Sequence, residues 1–254
     1  MRLTLSRLAE EGHLAVGMNF RSCSGVPNLR PRFYHSGETS DLAFVLSFLR
    51  LTYPGRAIGV VGYSLGGNVL LRYLGEQADD PPPYLKGAVA ISVPFDLTEG
   101  TACLERGPMG RFYSGYFLRS LLRKVRAKSE LLAPLLDLDR VFASKTVRDF
   151  DQSVTAPLHG FADAWEYYRE ASSAPIVPQI RVPTLLLHSL DDPFLTASAV
   201  PARAVAENPW MLGAFAKRGG HVGFIEGRGP GRGFWAEEEA VRYLGQVLRV
   251  DEPG

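Results

Sequence analysis

The sequence predicts an α/β protein, a mainly parallel sheet with helices on both faces, interrupted by one long helical stretch. Three observations predict it. Short apolar runs alternate with helix-period patterns along most of the chain. One junction between a run and a helix carries Gly62-Tyr63-Ser64-Leu65-Gly66. Between Pro94 and about Pro178 the alternation lapses into helical patterns without buried runs. Strands joined through helices run parallel, and a parallel sheet needs cover on both faces. At 254 residues and 46% hydrophobic content, the chain can bury a full core as one domain.

Taken in order, Leu5, Leu8 and Ala9 before Gly12 read as the tail of a helix, and Leu14 to Phe20 predicts a buried strand. Gly25, Pro27, Asn28 and Pro31 make a loop. Leu42, Val45, Leu46 and Leu49 then mark one face of a helix, with Glu38 and Asp41 near its positive end. Ala57 to Val61 predicts a strand, followed by a helix on Leu65, Val69, Leu70, Tyr73 and Leu74 that Asp79 to Pro83 stops. Ala88 to Val93 is the next strand. The interval at about 95–178 is expected to form a helical lid over the C-terminal edge of the sheet. Within it, Phe112, Tyr113, Tyr116 and Phe117 read first as core packing and second as the wall of an acyl pocket. Arg119, Arg123, Lys124, Arg126 and Lys128 read as a solvated face or as a cationic surface for anionic lipid or acyl substrates, which would bring peripheral membrane contact. The sheet resumes at Val182 to His188 and breaks at Ser189-Leu190-Asp191-Asp192-Pro193. A helix at Ala199 to Glu207, a strand at Met211 to Ala216, a Gly-rich loop at 227–233 and a terminal helix on Val241, Leu244 and Leu248 complete the chain. No strand leads into that loop, so its Gly-X-Gly spacing does not predict a dinucleotide site.

The chemistry starts at Ser64. A serine on so tight a strand-to-helix turn needs small neighbours, here Gly62 and Gly66, and stands exposed at the sheet edge beside a helix N-terminus. Its hydroxyl is protonated at neutral pH, so attack on a carbonyl requires a base, and the base requires a carboxylate to orient it. His221 lies on a loop after a strand among small residues, and it follows the acid in the order Ser, Asp, His. Asp191 and Asp192 share the turn that supplies the acid. Asp192, next to Pro193, is taken as the orienter and Asp191 as a bond to the turn backbone, a choice that leans partly on the resemblance below. The N–H of Leu65, the residue after the nucleophile, is the expected oxyanion donor. His188 is expected to be a packed strand-end histidine, and His13, His35 and His159 fall outside the order. His35, Glu38, His159 and Asp163 lack the spacing of a zinc site and are expected to brace loops, so neither metal nor cofactor is expected.

Composition narrows the rest. A net charge of +1 argues against a broad nucleic-acid footprint. Cys23 and Cys103 make neither a disulfide framework nor a metal cluster and are expected to be buried thiols. No apolar run is long enough to span a bilayer, and the first twelve residues lack the apolar core of a secretion signal, so a soluble cytoplasmic protein is expected. Sequence does not address oligomeric state.

Six blocks in order resemble the YheT-like branch of the α/β-hydrolases: Met18 to Gly25, Tyr34 to Thr39, Gly62 to Asn68, His159 to Asp163, Asp191 to Phe194 and Gly219 to Phe224. The resemblance runs from about residue 8 onward. It implies the α/β-hydrolase fold and a serine hydrolase of carboxylic esters, with short-chain esters and acylglycerols as substrates, and it supports Ser64, Asp192 and His221 as the triad. Ser22 stands where the resembling proteins usually have glycine. Those proteins also carry, earlier in the chain, the first strands and a His-Gly loop that supplies a second oxyanion donor. Neither precedes Leu14, so an N-terminally shortened form without its first strands is expected. Two further readings follow from that departure and from the shared triad: a silent binding protein with an incomplete oxyanion hole, and an acyltransferase or thioesterase.

Overall fold

A computed structural model describes residues 2–226 and 233–249. The Gly-rich loop anticipated at 227–233 therefore lies outside the described residues, apart from Gly233. The chain divides into two compact units: Met1–Met18, Ser36–Phe95 and Ser173–Gly254 form the first, and Asn19–His35 with Asp96–Ser172 form the second.

The first unit is built on four parallel strands in the order β1 (Ile58–Tyr63), β2 (Leu85–Ile91), β3 (Thr184–Ser189) and β4 (Met211–Ala216). Its helices are α1 (Arg2–Glu10), α2 (Ser40–Thr52) and α3 (Leu65–Glu76), followed after the second unit by α11 (Ala202–Glu207) and α12 (Trp235–Arg249). Val89, Ile91, Leu185 and Leu187 meet Ala236, Ala240, Tyr243 and Leu244 of α12 in one apolar cluster. Gly59 and Gly87 let α12 sit this close, since a Cβ at either would lie 2.8 Å or 2.5 Å from Leu244 or Val247. Ala88 and Ala90 alternate to the other face and are equally buried, so that face is covered too. There α3 packs on β1 and β2 through a buried set that includes Val69, Leu70, Leu71 and Leu74. Burial on both faces explains why β2 and β3 read as continuous apolar runs. α1 rests on α12, with ion pairs from Arg7 to Glu238 and from Arg249 to Glu11, and its Thr4 hydroxyl bonds the Tyr63 hydroxyl at 2.6 Å.

The strand expected at Leu14 to Phe20 does not form. Residues 13–20 have no regular structure, and Leu14 and Val16 are half or more exposed. An apolar run becomes a strand only beside a partner, and among the described residues no strand lies along the outer edge of β1. The helix expected from Ala199 begins at Ala202 instead, because Pro201 fixes the entry to it and a 3-10 turn at Ala197–Ala199 precedes it. An antiparallel pairing of β5 (Ile225–Glu226) with β6 (Gly233–Phe234) was not expected.

The second unit is helical: α4 (Leu97–Glu105), α5 (Gly107–Arg126), α6 (Ser129–Leu132), α7 (Leu138–Phe142), α8 (Val147–Phe150), α9 (Ala156–His159) and α10 (Ala164–Ala171), with a π-turn at Asp151–Thr155. One cluster joins Leu118 and Val125 of α5 to Leu132, Val141, Phe150 and Val154, and Phe33 belongs to it. The segment 19–35 is held there by Lys128, whose ammonium donates to Asn28 Oδ1 (2.9 Å), to the carbonyl of Arg32 (3.1 Å) and to that of Arg30, and lies over the Phe33 ring. His35 and His159 meet ring to ring at 4.4 Å, and burial pushes His159 down to about 4, which keeps it neutral at pH 7. The cysteines are not the buried thiols expected: Cys23 is exposed, with Lys124 Nζ 3.0 Å from its sulfur, and Cys103 is half-buried. Cys23 misses burial because its segment crosses the surface of the unit outside the apolar clusters.

Candidate active site

Three loops at the C-terminal ends of β1, β3 and β4 carry the expected residues, all within the first unit. Ser64 follows β1 with φ 50° and ψ −122°, a strained conformation for a residue with a side chain. The turn is as tight as its glycines imply. A Cβ on Gly62 would lie 2.5 Å from the Gly66 carbonyl oxygen, and one on Gly67 would lie 2.7 Å from Val93. The steric demand thus falls on Gly62 and also on Gly67, a position the sequence pattern did not single out. Behind the elbow, fully buried Asn68 donates to the Ser36 carbonyl at 2.8 Å and accepts from Ser173 N–H at 3.1 Å, tying two loops to α3.

The Ser64 hydroxyl donates to His221 Nε2 at 2.8 Å, and His221 Nδ1–H donates to Asp192 Oδ2 at 2.7 Å. A carboxylate only accepts, which fixes this tautomer. The Asp192 side chain is wholly buried while the imidazole stays 16% exposed, so the polar chain leads from the interior to an accessible end. The second oxygen of Asp192 accepts Phe194 N–H at 2.8 Å, and the Phe194 ring meets the imidazole edge-on at 4.8 Å. Leu65 begins α3, so its N–H has no carbonyl to meet within the helix and is free to bond beside Ser64.

Asp191 has a different partner from the one anticipated. Its carboxylate accepts the Ser189 hydroxyl and the N–H groups of Gly220 and Gly219, both at 2.9 Å, and these bonds, the serine's foremost, hold it below the usual carboxylate range. It therefore braces the histidine loop rather than its own turn alone. The same loop needs its glycines: Gly220 has φ 64°, and a Cβ on Gly219 would strike the Phe224 ring at 2.6 Å. Sequence reasoning missed Ser92. It is buried after β2 with φ 53°, and its hydroxyl donates to the His221 carbonyl. A serine within an apolar run was the only local signal. His188, next to last in β3, is fully buried and packed near Phe95, and burial pushes it down, so it is neutral and inaccessible.

Residues 5–227 match the alpha/beta hydrolase fold family. The chain is 37% identical over 245 residues to the putative esterase YheT of Escherichia coli, covering 95% of this chain and 70% of that protein. It is 35% identical over 236 residues to monoacylglycerol lipase of Saccharomyces cerevisiae (91% and 51%), and 32% identical over 230 residues to human phospholipase ABHD3 (90% and 56%). It thus spans little more than half the length of the latter two. The esterase Pf2001 of Pyrococcus furiosus shares the fold, with a TM-score of 0.57 at 18% identity over 98% of this chain and 76% of that one. With the glycine-flanked Ser64 turn, the His221 loop and the parallel sheet in place, the chain belongs to the α/β-hydrolase fold family, in the YheT-like branch of carboxylic ester hydrolases.

Proposed function

We propose that this chain hydrolyses carboxylic esters through an acyl-enzyme on Ser64, with Asp192 and His221 completing the triad. The observation that carries the reading is the unbroken path from Ser64 Oγ through His221 to Asp192, at 2.8 Å and 2.7 Å. As the Ser64 oxygen attacks the ester carbonyl, His221 Nε2 takes its proton, and the buried carboxylate of Asp192 stabilises the resulting imidazolium. The carbonyl oxygen becomes an oxyanion, for which the Leu65 N–H at the start of α3 is the donor this chain offers. His221 returns the proton to the departing alcohol. Water, activated by the same imidazole, then releases the acid.

The relatives are named putative esterase, monoacylglycerol lipase and phospholipase, which supports carboxylic esters, acylglycerols among them, as the substrate class, with short-chain esters as the simplest members to test. A panel of p-nitrophenyl and glycerol esters of increasing acyl length, run with and without an acceptor alcohol, tests this. Turnover that releases free acid and vanishes in Ser64→Ala is expected. Acid release unchanged in Ser64→Ala contradicts the reading, and product formed only with the acceptor would make the protein a transferase.

A further inference from the structure

The aromatic stripe of α5 is not core. Phe112 is 64% exposed, Tyr116 59% and Met109 60%, whereas Gly110, Ser114, Leu118 and Val125 fill the opposite, buried face of the helix. At 3.6 residues per turn, Met109, Phe112 and Tyr116 continue along one line into Arg119 and Arg123, which are exposed as well. The aromatic half is a continuous platform. Phe112 meets Tyr113 at 5.5 Å between ring centroids, Tyr113 meets Phe117 at 6.4 Å, and Phe117 meets Tyr116 at 5.9 Å. The charge on this helix has one sign: Arg111, Arg119, Arg123, Lys124 and Arg126, with no Asp or Glu among its 20 residues. The whole chain is nearly balanced, at 28 basic and 27 acidic residues, so the excess is local.

We propose that this face of α5 docks on a phospholipid bilayer bearing anionic headgroups. Leaving several aromatic side chains in water costs solvation that a bilayer interface relieves, because Tyr and Phe rings settle at headgroup depth. The arginines one and two turns further on then stand level with lipid phosphates, which their planar forks bind bidentately. The exposed line offers no carboxylate to answer a cationic protein partner, and complementarity therefore selects an anionic surface. The inference goes beyond the ester reading and does not rest on it, since binding is read without turnover.

Co-sedimentation of the full chain with vesicles of phosphatidylcholine alone, and of phosphatidylcholine with phosphatidylglycerol, tests it. The chain is expected to pellet with the anionic vesicles, far less with the neutral ones, and to be released by high salt. Arg119→Glu with Arg123→Glu is expected to weaken partitioning at least about 25-fold, at roughly fivefold for each arginine removed. Phe112→Ser with Tyr116→Ser, both at exposed positions, is expected to lose most binding while keeping its far-UV circular dichroism. No pelleting with anionic vesicles, equal pelleting with neutral ones, or binding unaltered by both double variants would overturn the proposal. So would size-exclusion chromatography showing a dimer that Phe112→Ser with Tyr116→Ser dissociates, because a second copy would then occupy the face.

Discussion

Both units bury ionisable side chains, and the two sets end differently. In the first, the covered carboxylate of Asp192 leads through His221 to Ser64, and the imidazole keeps an accessible edge. In the second, Lys128 closes on fixed acceptors in the 19–35 segment, and Asp151 accepts hydroxyls from Thr155 (2.6 Å) and Tyr168 (2.8 Å). Those charges lead nowhere. Burial of a charged group therefore does not by itself mark chemistry. What separates the sets is whether the polar chain has an open end where a reactant can enter.

The sharpest way to break that contrast is at its open end. His221→Ala is expected to lower kcat for a turned-over ester about a million-fold, as loss of the base does in serine hydrolases, with the fold intact by circular dichroism. Next come the adjacent carboxylates. Asp192→Asn should cost about 10,000-fold by favouring the wrong imidazole tautomer. Asp191→Ala, which only loosens the loop holding His221, should cost roughly 10- to 100-fold through misplacement. Equal losses in these two variants would show that Asp191 does more than brace.

In the second unit the expected effects are on stability. Burial pushes the Asp151 carboxyl up to about 6, from 3.8 in the unfolded chain. Between those values the folded state holds a proton that the unfolded state has lost, so stability falls as pH rises from about 4 to about 6 and then levels off. Asp151→Asn removes that slope. It should stabilise the protein at pH 7 to 8 by about 1–3 kcal/mol, allowing for the two donors the charge enjoys, and should give no gain below about pH 4. Thermal melts across that range measure it, and a gain that persists at low pH would exclude the linkage. The smallest effect is at Ser22, which keeps the left-handed φ of 59° while its hydroxyl donates to Asn28 Oδ1 at 2.7 Å and accepts Asn28 N–H at 3.1 Å. Ser22→Gly relieves strain of about 1 kcal/mol and gives up bonds of similar worth, so its Tm should barely move. Ser22→Ala keeps the strain and loses the bonds, and should cost about 1–2 kcal/mol.

The inner strands β2 and β3 were legible because strands covered on both faces need no alternation to be seen, and β4 matches its apolar run residue for residue although only its Met211 is buried. The same signal misled at Leu14 to Phe20, since an apolar run carries no information about whether a neighbouring strand is there to pair. Ser64, Asp192 and His221, which the structure brings together, stood out as candidates because each sits on a loop following a strand, where composition changes abruptly. Ser92 and the reach of Asp191 to a loop 28 residues on could not, because a long-range hydrogen bond leaves no local period. The Lys128 clamp is of the same kind. The stripe on α5 shows a further limit: helical spacing tells which residues share a face, and not whether anything covers it.

The central claim is that His221 makes the hydroxyl of Ser64 nucleophilic. Mass spectrometry of peptides from the folded chain after treatment with a fluorophosphonate measures this directly. The adduct is expected on Ser64 and is expected to disappear in His221→Ala. An adduct on another residue, or an unlabelled Ser64 in a protein whose circular dichroism shows it folded, would contradict the account.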